Sequence, residues 1–282
     1  MSAAWVTRLE QLVVVATSDV HSPRYLMHYM SALARHSGEC SAARLVVWAG
    51  DMVERGRVSA LRPVVEVTRR RCPSARIVAV FGNEEYMDRE NEFVRRYPQV
   101  VWLNDTYITL ETRGLRIAIY GTRGAIDRPT PWQRRHIPGI ERVYAERVRR
   151  LREEVKRLKS QGYYVIAVMH YAPTRLTIEG EDPSIWPYMA SLAMEAAIRD
   201  AKPDLVIHGH AHHAKRLEAW INGTYVVNVA FPARGDVTVL RVPMSRAAYA
   251  EAGAGDESST GGEAQPAATE SQPPSGGSPQ SG

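Results

Sequence analysis

Five short segments of the chain carry side chains that bind divalent metals: SDVH, GDMVERG, GNEEY, MHYAP and HGHAHH. Each follows an apolar run. LVVVATS delivers Asp19 and His21, RLVVWAG delivers Asp51, RIVAVFG delivers Asn83, YYVIAVM delivers His170, and DLVIHG delivers His210 and His212. Carboxylate, carboxamide and imidazole donors with no thiolate among them suit Mn, Fe, Zn or Ni. Two ions about 3.5–4 Å apart need a carboxylate between them, and the lone Asp51 fits that place. Core histidines and turn acids do not account for five such segments in order, each at the end of an apolar run. Cys40 and Cys72 have no metal-type spacing and read as free thiols or an incidental pair.

The elements that must position these residues alternate. Strand patterns cover 12–18, 44–50, 76–82, VVWL, TYITLE, RIAIYG, 163–170 and 204–209. Helical patterns cover 23–37, 58–71, a short stretch near 88–96, the long GIERVYAERVRRLREEVKRLKSQG and YMASLAMEAAIRDA. The first half therefore reads as α/β, with a parallel sheet and covering helices. In such sheets ligands bind beyond the carboxyl ends of the strands, so the polar segments share one rim. After 213, AKRLEAWI, TYVVNVA and DVTVLRV look like antiparallel hairpins with ING at 221–223 as a turn.

Two stretches have no such pattern. Residues 121–139 contain Pro129, Pro131 and Trp132, with Arg123, Arg134 and Arg135 available to an anionic or aromatic substrate group. Residues 177–189, with Trp186, are similar. Both also read as packed surface loops.

At 44% hydrophobic and 24% charged, the composition is that of a globular protein. No apolar run approaches the roughly 20 residues of a membrane span, and the apolar stretch near the N-terminus is too short for a signal peptide, which places the protein in the cytoplasm. The net charge of +5 is mostly arginine, but acids interleave at helical spacing in RVRRLREEVKRLK, the pattern of a solvated helix face. One domain, 1–248, is expected, followed by a low-complexity tail, 249–282, too poor in large apolar side chains to fold.

SDVH, GDMVERG, GNEEY, MHYAP and GHAH resemble the signature of the calcineurin-like metallophosphoesterases: DxH, GDxxDxG, GNH(D/E), H and GHxH. The resemblance runs from about residue 12 to 230, and four of the five motifs match closely. It implies a four-layer αββα sandwich of two mixed sheets flanked by helices. It implies one metal held by Asp19, His21 and His212, a second held by Asn83, His170 and His210, and Asp51 bridging both. The implied activity is phosphoester hydrolysis by a metal-bound hydroxide, on a substrate that is nucleotide-like in one reading. A nuclease of the same superfamily is an alternative that the basic charge allows and that lacks a dedicated DNA-binding domain. A non-catalytic metal-binding scaffold is another.

Glu84 departs from the pattern, which has a histidine there as the leaving-group acid. A carboxylate beside two cations is an acceptor and a poor acid. Glu84 is then a further ligand, a bystander at a site that favours diesters and good leaving groups, or an acid sharing a proton with Glu54, which occupies the second acidic place of GDxxDxG. Arg55, by resemblance to the serine/threonine phosphatase branch, is a phosphate clamp; it reads equally as a surface partner of Glu54. Glu85 is expected to orient a ligand, and His208 and His213 to be structural. Tyr86 and Tyr171 suit either a stacked ring or the core.

Overall fold

The computed structural model describes residues 11–112 and 115–243; the expected tail, 249–282, lies outside them. Eleven strands are seen among the described residues: β1 (Gln11–Thr17), β2 (Leu45–Ala49), β3 (Arg76–Val80), β4 (Val100–Leu103), β5 (Thr106–Thr112), β6 (Leu115–Thr122), β7 (Tyr164–Met169), β8 (Leu205–His208), β9 (Glu218–Ile221), β10 (Thr224–Asn228) and β11 (Thr238–Pro243). They form a sheet ordered β11-β1-β2-β3-β4 and a second ordered β5-β6-β7-β8-β10-β9. Both are mixed: β1 to β4 run parallel with β11 antiparallel at the edge, and β6, β7, β8 and β10 run parallel between antiparallel β5 and β9.

The helices are α1 (Leu26–Arg35), α2 (Ser37–Ala42), α3 (Leu61–Arg71), α4 (Glu90–Arg96), α5 (Pro131–His136), α6 (Ile140–Ser160), α7 (Leu192–Ala201) and α8 (Phe231–Arg234). Side-chain alternation along the strands builds the layers. In β1, Val13 and Val15 pack in a core with Tyr29, Leu33, Leu61 and Val64 of α1 and α3. Leu12, Val14 and Ala16 instead meet Ile119, Ile166, Val168 and Ile207 of the second sheet. In β7, Val165, Ala167 and Met169 pack with Leu151, Val155 and Met194 of α6 and α7. This is the expected αββα sandwich. It explains why the strands are continuous apolar runs: both faces are covered. Each fully buried Val or Leu contributes about 1.5–3 kcal/mol.

Three local expectations change. The helix over 23–37 stops at His36 (φ −94°, ψ 34°), ahead of Ser37 and the weak helix former Gly38, and restarts as α2. The stretch 121–139 contains α5, started by a capping box in which the Thr130 side chain and Gln133 each bind the other's backbone N–H. The chain end forms one hairpin, β9–β10, turning through Asn222 (φ 49°) and Gly223 (φ 81°). β10 then pairs parallel to β8, and β11 crosses to the other sheet beside β1.

Candidate metal centre

The parallel strands of both sheets end on one rim. Asp19 and His21 follow β1, Asp51 follows β2, Asn83 follows β3, His170 follows β7, and His210 and His212 follow β8. The β1 and β2 loops are stitched together: Asp19 N–H donates to Gly50 O (3.0 Å), His21 N–H to Asp51 O (3.0 Å) and Ser22 N–H to Met52 O (2.9 Å). Asp19, His21, Asp51 and His210 hold φ of 58°, 43°, 53° and 72°, left-handed conformations that cost about 1–3 kcal/mol each unless the surroundings impose them.

Around Asp51 the imposing is done by Glu85. It is fully buried, and its carboxylate accepts N–H bonds from Asp51 (2.8 Å), Gly82 (2.8 Å), Met52 (2.7 Å) and Val53 (3.2 Å). Gly50 and Gly82 allow the close approach. A Cβ on Gly50 would sit 2.6 Å from His170 Nδ1, and one on Gly82 would run into the Asp51 carboxylate.

Two groups of donors result. In the first, His212 Nε2 lies 2.9 Å from Asp19 Oδ1, and His21 Nε2 lies 3.7 Å from Asp19 Oδ1 and 3.5 Å from His212 Nε2. In the second, His170 Nε2 lies 3.0 Å from Asn83 Oδ1, and the His170 and His210 rings are 4.9 Å apart edge to face. Asp51 Oδ2 faces both, 3.9 Å from His21 Nε2 and 3.5 Å from His170 Nε2. The groupings Asp19–His21–His212 and Asp19–Asp51–His170 each have candidate ligand atoms close enough to meet at one ion.

The surrounding hydrogen bonds leave the right lone pairs free. His170 Nδ1 faces Ala49 O at 3.0 Å; a carbonyl only accepts, so Nδ1 carries the proton and Nε2 is the open donor. Asp19 Oδ2 accepts from Ser18 Oγ and from His210 N–H (2.9 Å), leaving Oδ1 for the site.

The electrostatics also fit a cation. Burial, with the charges of Glu85 and Asp19, pushes the Asp51 carboxyl well above its usual range. Burial opposes ionisation of Asp19 as well, but hydrogen bonds to His21 and His212 outweigh it and hold its pKa well below normal. Burial lowers His170 to about 4 and His210 to about 3, so both imidazoles are neutral donors at neutral pH. His212 is raised: burial pulls it down, but the hydrogen bond and charge of Asp19 prevail. Buried carboxylates crowded beside neutral imidazoles are the donor chemistry of a divalent-metal site.

Other expectations are corrected here. Glu54 is not Glu84's proton-sharing partner: Arg24 Nε lies 2.7 Å from its Oε1 as an ion pair, and Arg57 Nη2 donates to Oε2 at 2.9 Å. A guanidinium at each oxygen makes Glu54 an ion-pair partner of Arg24 and Arg57. Glu84 Oε2 accepts the backbone N–H of Arg55 (2.6 Å), itself exposed at φ 52°. Arg123 lines the cleft beside the site, but its guanidinium is largely held by the protein itself. It is buried and ties down the GNEEY loop, donating to Gly82 O, Glu85 O and the Glu90 carboxylate.

His208 is structural, as expected: it is buried, with Nδ1 on Gly209 O (2.8 Å) and Nε2 on Thr177 Oγ1 (2.7 Å). His213 is exposed. Ser18, Arg24 and Gln133 were not singled out from sequence, although the T-P-W-Q box was legible.

A cleft of about 760 Å³ opens from Asn83, Glu84 and His210 and runs along α5 and the start of α6. Trp132 and Tyr171 line it, as do Tyr86 and Tyr188; Arg134 and Arg135, exposed on α5, do not. Trp186 instead packs into its own loop, donating Nε1–H to Glu181 O at 3.1 Å.

Among solved structures, the chain is similar to the phosphopantetheinyl hydrolase from Mycobacterium tuberculosis (17% identity over 80% of this chain and 91% of that one, TM-score 0.55). It is also similar to a dimetal phosphatase from Danio rerio (11%, covering 83% and 93%, TM-score 0.53). A third is GAP50, the anchor in the inner membrane complex of Plasmodium (12%, covering 79% and 72%, TM-score 0.53). At these identities the likeness is one of fold. No curated protein gives a significant match. The family model for calcineurin-like phosphoesterases spans residues 12–214, from β1 to just past His212, and so takes in every donor assembled on the rim. With that match over most of the chain, the protein belongs to the calcineurin-like phosphoesterase family.

Proposed function

We propose that this protein is a two-metal phosphoesterase that cleaves phosphodiesters better than monoesters. The observation that carries the reading is Asp51 Oδ2, which faces His21 at 3.9 Å and His170 at 3.5 Å and so stands between two donor groups. Asp19, His21 and His212 would hold one ion, Asn83, His170 and His210 the other, with Asp51 shared; Mn, Fe, Zn or Ni suits the donors. A bound pair of divalent ions lowers the pKa of water and neutralises charge on the phosphoryl oxygens.

The chain's own residues supply the rest. Glu85 and Ala49 O hold the Asp51 loop and the His170 ring in place. Arg55, exposed beside Glu84, is assigned to the phosphoryl oxygens. Glu84 accepts the Arg55 N–H, and it stands where the family pattern has a histidine as the acid for the departing alkoxide. Esters with stable leaving groups, diesters among them, are therefore favoured, and a nucleotide-like substrate fits the ring-lined cleft.

The catalytic unit is taken as 1–248, with 249–282 an appended tail. A cytoplasmic setting accords with the free thiols of Cys40 and Cys72. Among the described residues no helix is long and apolar enough to cross a membrane.

The test is hydrolysis of bis-p-nitrophenyl phosphate and p-nitrophenyl phosphate side by side, adding Mn²⁺, Ni²⁺, Zn²⁺ or Mg²⁺ in turn to stripped protein, with Asp51→Asn as control. Metal-dependent cleavage of the diester above the monoester is expected. Two bound metals with no turnover of either ester would make the protein a metal-binding scaffold instead.

A further inference from the structure

The cleft is far larger than a phosphoryl group. Its inner end is the candidate metal centre, at Asn83 and His210, and its outer part is walled by Ile126, Trp132, Ile137, Pro138, Ile140 and Tyr144. A volume of about 760 Å³ is that of a pocket for a whole small molecule.

Gln133, Arg147 and Arg123, which line it, already have partners. Gln133 accepts the Thr130 N–H at Oε1 (2.8 Å) and donates from Nε2 to Tyr171 OH (3.0 Å). Arg147, buried, donates from Nη1 to Gly124 O (3.2 Å) and faces Asp105 with Nε (3.4 Å). Arg123 is held by the GNEEY loop. The outer wall therefore presents mainly apolar and aromatic surface, with the buried Tyr144 hydroxyl as an unpaired polar atom among it.

It is also rigid. The Thr130–Gln133 capping box and Pro131 fix the start of α5, and Trp132 stacks on His136 with ring centroids 4.6 Å apart at 23°. Gln133 links this wall to Tyr171, which follows His170, so wall and metal centre keep one spacing.

We infer that this outer wall receives a flat apolar arm of the substrate, an aryl or comparable ring system carried on the phosphoester, and that Trp132 is a specificity-determining residue. The inference rests on the phosphoesterase reading of the adjoining site. Sugar phosphates and short alkyl esters would leave the wall unfilled. A ring would gain aromatic contact and desolvation there without asking the wall for hydrogen bonds.

Binding of phenylphosphonate and methylphosphonate to the Mn²⁺-loaded full chain, measured by calorimetry, separates the arm from the phosphoryl group, which the two ligands share. We expect the phenyl compound to bind about tenfold more tightly or better. Trp132→Ala and Ile137→Asp should each shrink that ratio to about twofold or less without altering the methylphosphonate affinity. Trp132 is 58% exposed, so its truncation leaves the fold intact. Equal binding of the two compounds by the wild type, or a preference that survives both substitutions, would overturn the inference and leave the phosphoesterase reading standing. If neither phosphonate binds and neither nitrophenyl ester is turned over, the phosphoesterase reading falls and this inference falls with it.

Discussion

The backbone N–H of Glu84 donates to Asp51 Oδ1 at 2.7 Å. Residue 84 thus fixes the Asp51 carboxylate through its main chain, whatever its side chain, and Asp51 is left with Oδ2 facing both donor groups. A histidine and a glutamate here can make the same main-chain bond to Asp51.

Substitutions at 84 should therefore act on substrate choice. Glu84→Gln still accepts the Arg55 N–H, and we expect aryl diester turnover within about threefold of wild type. Glu84→His supplies an acid and should raise alkyl monoester turnover about tenfold or more, with a new basic limb in the pH profile. Comparing kcat/KM for methyl and p-nitrophenyl esters checks this; equal effects on both would contradict it.

Asp51→Asn should separate fold from function. Burial and the neighbouring acids raise the Asp51 pKa in the metal-free fold, so ionising it above its ordinary carboxylate range destabilises that fold. The stripped Asn variant should melt higher than stripped wild type at pH 7, yet gain little when Mn²⁺ is added and turn over no ester. Scanning calorimetry with and without metal reads both effects. A stripped variant that melts lower than stripped wild type would argue against the charge crowding.

Glu85→Gln should be costly. The amide replaces one acceptor oxygen with a donor, leaving two of the four N–H groups it now satisfies facing an NH₂. We expect a loss of about 2–5 kcal/mol in denaturant unfolding, with weakened metal retention. A loss under about 1 kcal/mol would mean that the loops around Asp51 hold their strained backbone unaided.

Acid should weaken the stripped protein in a way that His208 reports. Burial depresses His208 to about 4, as it does His170. A base with a lowered folded pKa keeps its full stability above about 6.5, and loses it as pH falls from there toward the folded value, because the unfolded chain takes the proton first. Asp51 and Glu85, both raised by burial, take up protons in the folded state and work in the opposite direction. Comparison of variants removes that offset. Between pH 6.5 and 4, stability of the wild type should fall about 1.4 kcal/mol per pH unit more steeply than that of His208→Asn or His208→Gln. Parallel slopes would mean that His208 titrates normally in the fold.

The parts of this molecule governed by local pattern were legible in its sequence. Continuous apolar runs marked strands covered on both faces, and the residues just past each run marked the rim where Asp19, Asp51, Asn83 and His170 meet. What was not legible depends on partners distant in sequence. Arg24 reaches Glu54 across 30 positions, and Arg123 reaches Gly82 and Glu85 from another sheet, so neither role shows as spacing. The crossing of β11 is likewise decided by which edge is open, since DVTVLRV reads as a strand with any neighbour.

That crossing sets an order of assembly. Gln11 pairs with Pro243, and His212 meets Asp19 across 193 positions. During synthesis β1 emerges first and waits, one edge bare, until β11 has left the ribosome. The candidate ligand group of Asp19, His21 and His212 stays incomplete until β8 and the loop after it have arrived. A protein truncated before residue 238 would keep every candidate ligand but expose the apolar edge of β1 that β11 covers.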